Sequence, residues 1–551
     1  MRKASATDWD RSVDTVVVGS GGSGLTAALA AADAGAETLV LEKAEVLGGT
    51  TAVSGGAVWI PNSRPVVEAI GENPPEDVQN YIRQIAGGRV PDEMIRQFVE
   101  RGPKVVDRLE EETPLEFAFA HYPDYHPQFR GGRDEGQSIV PKLYDGNRLG
   151  DRLDDVRDNP QTPIPTTIGE MMTSGGMAKF PVVADWEELA ERMENNQIGT
   201  GQALIAGLYE TCLDRGVDFE TDAPAEELVV DDDAVVGLVA EVGGEETAIE
   251  AESVVIAAGG MEWDEELCEH FLAGPMDAPT SVPQNEGDGI KMGMEIGAKL
   301  GNMNEAWWCP AGHVPGESWE DGSPLNRILL AERTLPATLM VNADGERFCN
   351  ESGNYVDLGK RFRIFDPHDY EYENLPAYVI FDQSARERYA MLTVMPHQDD
   401  PEWLVSGETL EELAEKKGID PQGLRETVKR FNEHAREGED PDFHRGQSGH
   451  DRETGDADAD HPNLAPLNEP PFYAIDVQAG SLGTKGGLVT TPEGAVVDVN
   501  DEEIPGLYAA SNGTSHVMGI GYAGGGGTLG PNVVFGYLAG ESAAERATDI
   551  A

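Results

Sequence analysis

The sequence predicts an α/β fold of two domains, a doubly wound dinucleotide-binding unit and a second domain of mixed α+β texture. The first observation behind this is "DTVVVGSGGSGLTAALAAADAGAETLVLEK", which opens at Asp14 and reads as strand, glycine-rich turn, helix and strand. The second is size, because 551 residues with 39% hydrophobic content can bury a large core and imply about two domains. The third is a change of texture from about Leu300 to Pro470, where aromatics, prolines and short mixed elements dominate.

In the opening passage the β-branched run Val16 to Val18 leads into Gly19-x-Gly21-x-x-Gly24, then an Ala/Leu helix, then the apolar strand Thr38 to Leu41 ending at Glu42. Gly19 permits the tight turn, Gly21 lets the backbone approach a pyrophosphate, and Gly24 lets the helix pack on the strand. The helix N-terminus faces the phosphates with unpaired N–H groups and the positive end of its dipole. Glu42 is placed to accept hydrogen bonds from a ribose hydroxyl. A second glycine-rich passage, "EKAEVLGGTTAVSGGAVWIPNS", follows within reach of the same dinucleotide. FAD and NAD both use such a unit.

Between Leu204 and Gly260 the sequence predicts a helix, a strand at "GVDFET", a β-ribbon punctuated at "DDDA" and "GGEE", and a separate buried strand from Val254 to Ala257. "NEGDGIKMGMEIGA", Asn285 to Ala298, is a glycine turn opening a helix. The first domain is therefore expected over residues 1–299 and the second over 300–470. Within the second, "REGEDPDFHRGQSGHDRETGDADADHPN" is polar, acidic and poor in apolar residues, which predicts a loop or surface excursion. From residue 471 short strands separated by Gly and Asp-Glu turns end at "GLYAASNG", and a glycine loop and a last helix follow.

Asp and Glu number 101 against 40 Lys and Arg, a net charge of −61, which argues against nucleic acid or anionic membrane as a partner. The acids are dispersed along the chain, as on the solvated surface of a halophilic protein, where salt screens the self-repulsion. Cys212, Cys268, Cys309 and Cys349 lie far apart without a metal-ligand spacing and read as buried thiols. No apolar leader segment opens the chain, and no window approaches about 18 uninterrupted apolar residues, so a cytoplasmic protein without a membrane segment is expected.

Histidine and tyrosine are the side chains that could carry acid–base chemistry. None of the 11 histidines sits in a paired motif, and His126 and His516 read as local hydrogen-bonding residues. Of 14 tyrosines, Tyr122 and Tyr125 lie in "HYPDYHPQFRGG", Tyr355 in "FCNESGNYVDLG", and Tyr522 at the head of four glycines in "GIGYAGGGGTLGP". Any one tyrosine is ordinarily a buried ring with a satisfied hydroxyl. Glycines beside Tyr522 would let something approach the main chain closely.

The second glycine passage, Gly48-Gly49-Thr50-Thr51 followed by Ser54-Gly55-Gly56, resembles that of FAD-dependent fumarate reductases and 3-ketosteroid dehydrogenases. Across nearly the whole chain the sequence is similar to 3-ketosteroid Δ1-dehydrogenases: "PDY" at Tyr125, "AWWCP" at Ala306 to Pro310, "NES" before Tyr355, "FHRG" at Phe443 to Gly446, "PPFYA", "LGTKGGLVT" at Leu482 to Thr490, and "GLYAA". The resemblance implies a Rossmann-like FAD-binding domain that is discontinuous, residues 471–551 rejoining 1–299 around an inserted substrate-capping domain. It implies non-covalent FAD held by Gly19, Ser20, Gly21, Gly22, Ser23, Gly24, Glu42, Lys43, Gly49, Thr50, Thr51, Ser54, Gly55 and Gly56. Ala258, Gly259, Asp288, Asn512, Thr528 and Leu529 complete that set. It further implies that Tyr355 takes a proton from C2 of a steroid A ring with help from Tyr125, while flavin N5 accepts hydride from C1. Tyr522 and the Gly526 N–H would hold the C3 carbonyl oxygen. The expected partners are a small ketone or steroid and an external electron acceptor of open identity.

This division of labour is chemically sound, because proton loss beside a ketone builds enolate charge on oxygen, where aimed donors contribute a few kcal/mol each. A free phenol has a pKa near 10, so Tyr355 needs a neighbour to stabilise its phenolate, and Tyr125 is the candidate. The chain departs from the family's Y-P-G-P-G with Tyr522-Ala523-Gly524-Gly525-Gly526, which predicts a less preorganised carbonyl site. A fumarate reductase would need His and Arg near this loop, and Gly519 to Pro531 contains neither. A Δ4-type ketosteroid enzyme would have serine where Gly524 stands, and a non-catalytic flavin-binding protein would have lost the tyrosines.

Overall fold

The computed structural model describes residues 1–173, 176 and 178–550. The chain opens with β1 (Arg11–Val18), α1 (Gly22–Asp33) and β2 (Thr38–Leu41). After α2 (Pro75–Ile85) it returns through α3 (Thr200–Asp214) to β3 (Asp218–Glu220) and then to β4 (Ala225–Asp231), β5 (Ala234–Val242) and β6 (Glu245–Ile256). The second domain is built on β7 (Ala306–Ser318), β8 (Pro324–Ile328), β9 (Thr338–Asn342), the short α4 (Tyr355–Gly359), β10 (Ala377–Asp382) and β11 (Phe472–Thr484). The chain regains the first sheet at β12 (Glu503–Ala509) and ends in α5 (Leu529–Ile550).

The parallel heart of the first sheet runs β12-β6-β1-β2-β3. Its valines are buried on both faces, as a covered parallel sheet requires. Val17 and Val40 pack toward α1, α3 and α5, whereas Val16, Val18 and Leu39 pack toward Leu228 and Leu238 of the ribbon. The ribbon and the strand expected after it are one element, since β6 pairs antiparallel with β5 through Glu250 and parallel with β1 from Ile249 onward. Up to Glu252 it mixes exposed and buried positions and its last four residues are buried throughout, a change of environment without a break in the chain.

The turn between β1 and α1 shows why its glycines are glycines. Gly19 has φ +101°, and a Cβ there would stand 2.5 Å from the Ala257 oxygen. At Gly24 a Cβ would stand 1.9 Å from the Gly19 oxygen, so Gly24 packs the helix onto its own turn. On the far side of α1, α5 presents Ala539, Ala543 and Ala544, small residues that bring the two helices close.

The second sheet is antiparallel in the order β8-β7-β11-β10-β9. The boundary expected after residue 470 falls at the start of β11, whose 13 residues are hydrogen-bonded within this sheet, and Ala278–Pro279 joins it as well. The polar segment expected as a loop or surface excursion is largely loop with exposed residues such as Glu437, His444, Arg452 and Asp460, but it turns Asp440, Arg445, His450 and Asp456 into the interior. Arg347 bridges Glu351 and Asp440, Arg445 donates to the Leu335 and Thr338 carbonyls, and Asp456 accepts from the Tyr389 hydroxyl. Composition misleads here because an acid with an arginine partner from a distant segment reads like a solvated one. All four cysteines are free and buried, and no helix among the described residues is long and apolar enough to cross a membrane.

Replacing Gly24 by alanine is expected to cost about 1–3 kcal/mol through overpacking. A denaturant midpoint unchanged from the parent would contradict the contact with Gly19.

Candidate active site

A cavity of about 620 Å³ lies where the first sheet's strand ends meet the second domain. Its wall carries the β1–α1 turn, the second glycine passage, Ala258, Gly259, Asp288, Asn512, Thr528 and Leu529, together with Tyr122, Tyr125, Tyr355, Tyr522 and Gly526. Of the residues expected at the cofactor, Gly24 alone is off this wall, because its contact is with the turn beneath it.

The dinucleotide side is assembled from local hydrogen bonds. Glu42 is buried and accepts from Ser20 N at 3.0 Å, Ser20 Oγ at 2.6 Å and Ala44 N at 2.9 Å. A carboxylate has about four lone-pair sites, so Glu42 braces the turn and keeps an acceptor for a ribose hydroxyl. Thr51 Oγ1 accepts from Gly22 N at 3.0 Å, and Thr50 Oγ1 accepts from Asn285 Nδ2 at 3.0 Å. Ser54 Oγ donates to the Thr51 carbonyl and accepts from Gly56 N, shaping the turn between the two. Lys43 is committed to Glu286 and to Asp288 at 2.9 Å. The N–H groups of Gly21 and Ser23 find no acceptor among the described residues and lie on the cavity wall. Orphan donors at a helix start, with a carboxylate at the end of the next strand, fit the pyrophosphate and ribose of FAD.

The three tyrosines arrive from separate segments. Tyr125 lies in the loop between the short strands Phe117–Phe119 and Ser138–Pro141, Tyr355 is the first residue of α4, and Tyr522 precedes α5. Ring centroids are 5.1 Å apart for Tyr125 and Tyr522, 5.6 Å for Tyr355 and Tyr522, and 5.7 Å for Tyr125 and Tyr355. Burial pushes the Tyr355 phenol well above its ordinary pKa, Tyr522 adds to the shift, and Tyr125 opposes it. The Tyr522 phenol is also raised by burial, with Thr528, Tyr355 and the Gly526 N–H acting the other way. Thr528 Oγ1 donates to the Tyr522 oxygen at 3.1 Å. The Gly526 N–H finds no acceptor among the described residues, and it and the Tyr522 hydroxyl belong to the same cavity wall.

His450 and Arg333, which carry no sequence signal, stand around this group with residues that the sequence did single out. His450 stands edge-on to Tyr125 with centroids 4.9 Å apart, and burial lowers its pKa, which keeps the imidazole neutral. Arg333 is buried, donates to the carbonyls of Leu329, Glu351 and Gly353, and pairs with no carboxylate among the described residues. Trp307 packs against Tyr522 at 4.8 Å and donates to Asn512 Oδ1, which also accepts from Asn532. His126 does what was expected of it locally, pairing with Asp357 at 2.9 Å and so joining the Tyr125 segment to the first turn of α4. His516 lies behind Trp307, its pKa pushed down to about 3 by burial. Asp124, visible in "PDY" only as a neighbour of Tyr125, accepts from Trp59 Nε1, Gln137 Nε2 and Arg133 N.

With this geometry in view, the chain belongs to the family described as FAD binding domain, which matches residues 14–529, and it is an FAD-dependent oxidoreductase. It is 40% identical over 544 residues to a 4-oxocyclohexanecarboxylate 2-dehydrogenase of Sinomonas cyclohexanicum, covering 97% of this chain and 93% of that protein. It is 37% identical over 562 residues to a 3-oxosteroid 1-dehydrogenase of Mycolicibacterium smegmatis, covering 96% of each. Its structure matches 3-ketosteroid Δ1-dehydrogenase from Sterolibacterium denitrificans, solved with 1,4-androstadiene-3,17-dione, with a TM-score of 0.90 at 33% identity over 97% of this chain and all of that one.

Burial pushes the Asp124 carboxyl up to about 7. Its folded pKa exceeds the unfolded value near 3.9, so its contribution to stability is whole below about pH 4 and is lost as pH rises through about 7, by up to about 4 kcal/mol. Unfolding of Asp124→Asn and of the parent, compared between pH 4 and 8, is expected to show this loss in the parent only.

Proposed function

We propose that the protein desaturates a cyclic ketone, removing a proton from the carbon beside the carbonyl and a hydride from the next carbon. The reading is supported above all by the clustering of the Tyr522, Tyr355 and Tyr125 rings, with the unpaired Gly526 N–H, on one cavity wall. Tyr522 and Gly526 hold the ketone oxygen and take up the charge that develops on it. Tyr355 receives the proton, and Tyr125 steadies the phenolate. Bound FAD, held by the turn, Glu42 and the second glycine passage, supplies the two-electron acceptor. Burial of all three phenols excludes water, which strengthens the donors at the oxygen.

Two substrates fit this chemistry. Steroid C1–C2 desaturation is favoured by the 3-oxosteroid relative and the structural match, and a cyclohexanone carboxylate by the 40% relative. A fumarate-type reduction is disfavoured because His516, nearest the glycine loop, is a neutral imidazole behind Trp307 and off the cavity wall.

The test is anaerobic mixing of holoenzyme with a 3-keto-4-ene steroid or with 4-oxocyclohexanecarboxylate, following the flavin's visible absorbance. Bleaching by at least one is expected, slowed about 10²–10⁴-fold in Tyr355→Phe. No bleaching by either, with reduced flavin reoxidised by fumarate, would overturn the reading. Because Tyr355 is held neutral in the resting site, its bleaching rate should climb with pH and show no plateau below about pH 10. A flat profile from pH 6 to 9 would remove Tyr355 as the base.

A further inference from the structure

The loop Tyr522 to Gly526 lacks proline, yet its carbonyls are tied down from outside. Lys485 Nζ donates to the Gly521 oxygen at 2.8 Å, and Ser138 Oγ to the Gly525 oxygen at 2.6 Å. Trp59 N donates to the Gly526 oxygen at 3.0 Å. The Ala523 oxygen accepts twice, from Tyr125 N at 3.0 Å and from the Tyr81 hydroxyl at 2.6 Å. Tyr81, fully buried on α2, also accepts from His126 N at 3.2 Å. Its one hydroxyl therefore bridges the chain next to Tyr125 and the chain next to Tyr522.

We propose that Tyr81 is a positioning residue for the ketone-oxygen site, holding the Tyr522–Gly526 loop in place through the Ala523 carbonyl. The proposal rests on reading Tyr522 and Gly526 as the pair that binds that oxygen. A proline in the loop limits motion by restricting φ. Here carbonyl hydrogen bonds do the same work, and Tyr81 reinforces the direct bond from Tyr125 N to the Ala523 oxygen. Burial raises the Tyr81 pKa well above its ordinary value, which keeps the hydroxyl a donor across the pH range of activity. Misplacement of a reacting geometry by about 1 Å can cost on the order of 10²-fold in rate, so a loosened loop acts on turnover more than on affinity.

The experiment compares holoenzyme variants by hydrogen–deuterium exchange of the peptide around residues 519–531 and by steady-state kinetics with the ketone that bleaches the flavin. Tyr81→Phe is expected to speed exchange in that peptide and to lower kcat about tenfold or more, with KM moving less than about threefold. Adding Ala523→Pro should restore both readings, because the Ala523 N–H donates to no group among the described residues and a proline there sacrifices no bond. Position 525 is closed to the same device, since a Cβ would stand 2.8 Å from Tyr122 Cδ1. Should Tyr81→Phe fail to fold, Ser138→Ala, which releases the Gly525 oxygen, carries the same expectations. Exchange unchanged in the variants, or fast exchange with unchanged kcat, overturns the proposal. If neither ketone bleaches the parent enzyme, the proposed function fails, and the exchange measurement still decides whether Tyr81 holds the loop.

Discussion

Burial of three phenols in one cleft is the constraint on which the site depends. Away from water each ring gains edge contacts with the others, and each hydroxyl is limited to the few partners the fold supplies. The cost is a strong preference for the neutral phenol, offset at Tyr522 by Thr528, Tyr355 and Gly526 and at Tyr355 by Tyr125. Such a cleft works only if those donors are held in place before substrate enters.

The surroundings are arranged accordingly. Behind Tyr355, Arg333 ties down the carbonyls of Glu351 and Gly353, while Glu351 is caught between Arg347 and Arg445. Removing one member of such a buried network leaves a charge uncompensated, a loss of about 3–5 kcal/mol. Asn354 caps α4 by accepting from Asp357 N, and Asp357 is held well below the usual carboxylate range by the His126 hydrogen bond and Lys360, despite burial. The Tyr125 and Tyr355 segments are thereby joined across the cleft without a direct bond between their backbones.

The two large sheets share this task unevenly. The parallel sheet supplies the dinucleotide turn and, through β12 and α5, the loop that carries Tyr522. The second sheet supplies Tyr355 from a loop braced by its polar interior, and Trp307 on β7 backs Tyr522. The cleft is therefore lined by residues from both sheets' surroundings.

The β1–α1 turn, the placement of Glu42 and the second glycine passage were legible from residue order, because dihedral restrictions, strand periodicity and helix starts act over a few neighbouring residues. The identity of the three tyrosines among 14 required a resemblance, since nothing local distinguishes Tyr355 from any other buried phenol. The acidic excursion read as a surface loop does carry exposed residues, but its Asp440 and Asp456 are buried because their partners, Arg347, Lys179 and Tyr389, come from elsewhere in the chain. In the proline-free loop read as less preorganised, the Ala523 carbonyl accepts from Tyr81, 442 residues away. Desolvation, ion pairing and hydrogen bonds at such separations come into being only when the chain closes, and they decide which of the locally ordinary residues can do chemistry.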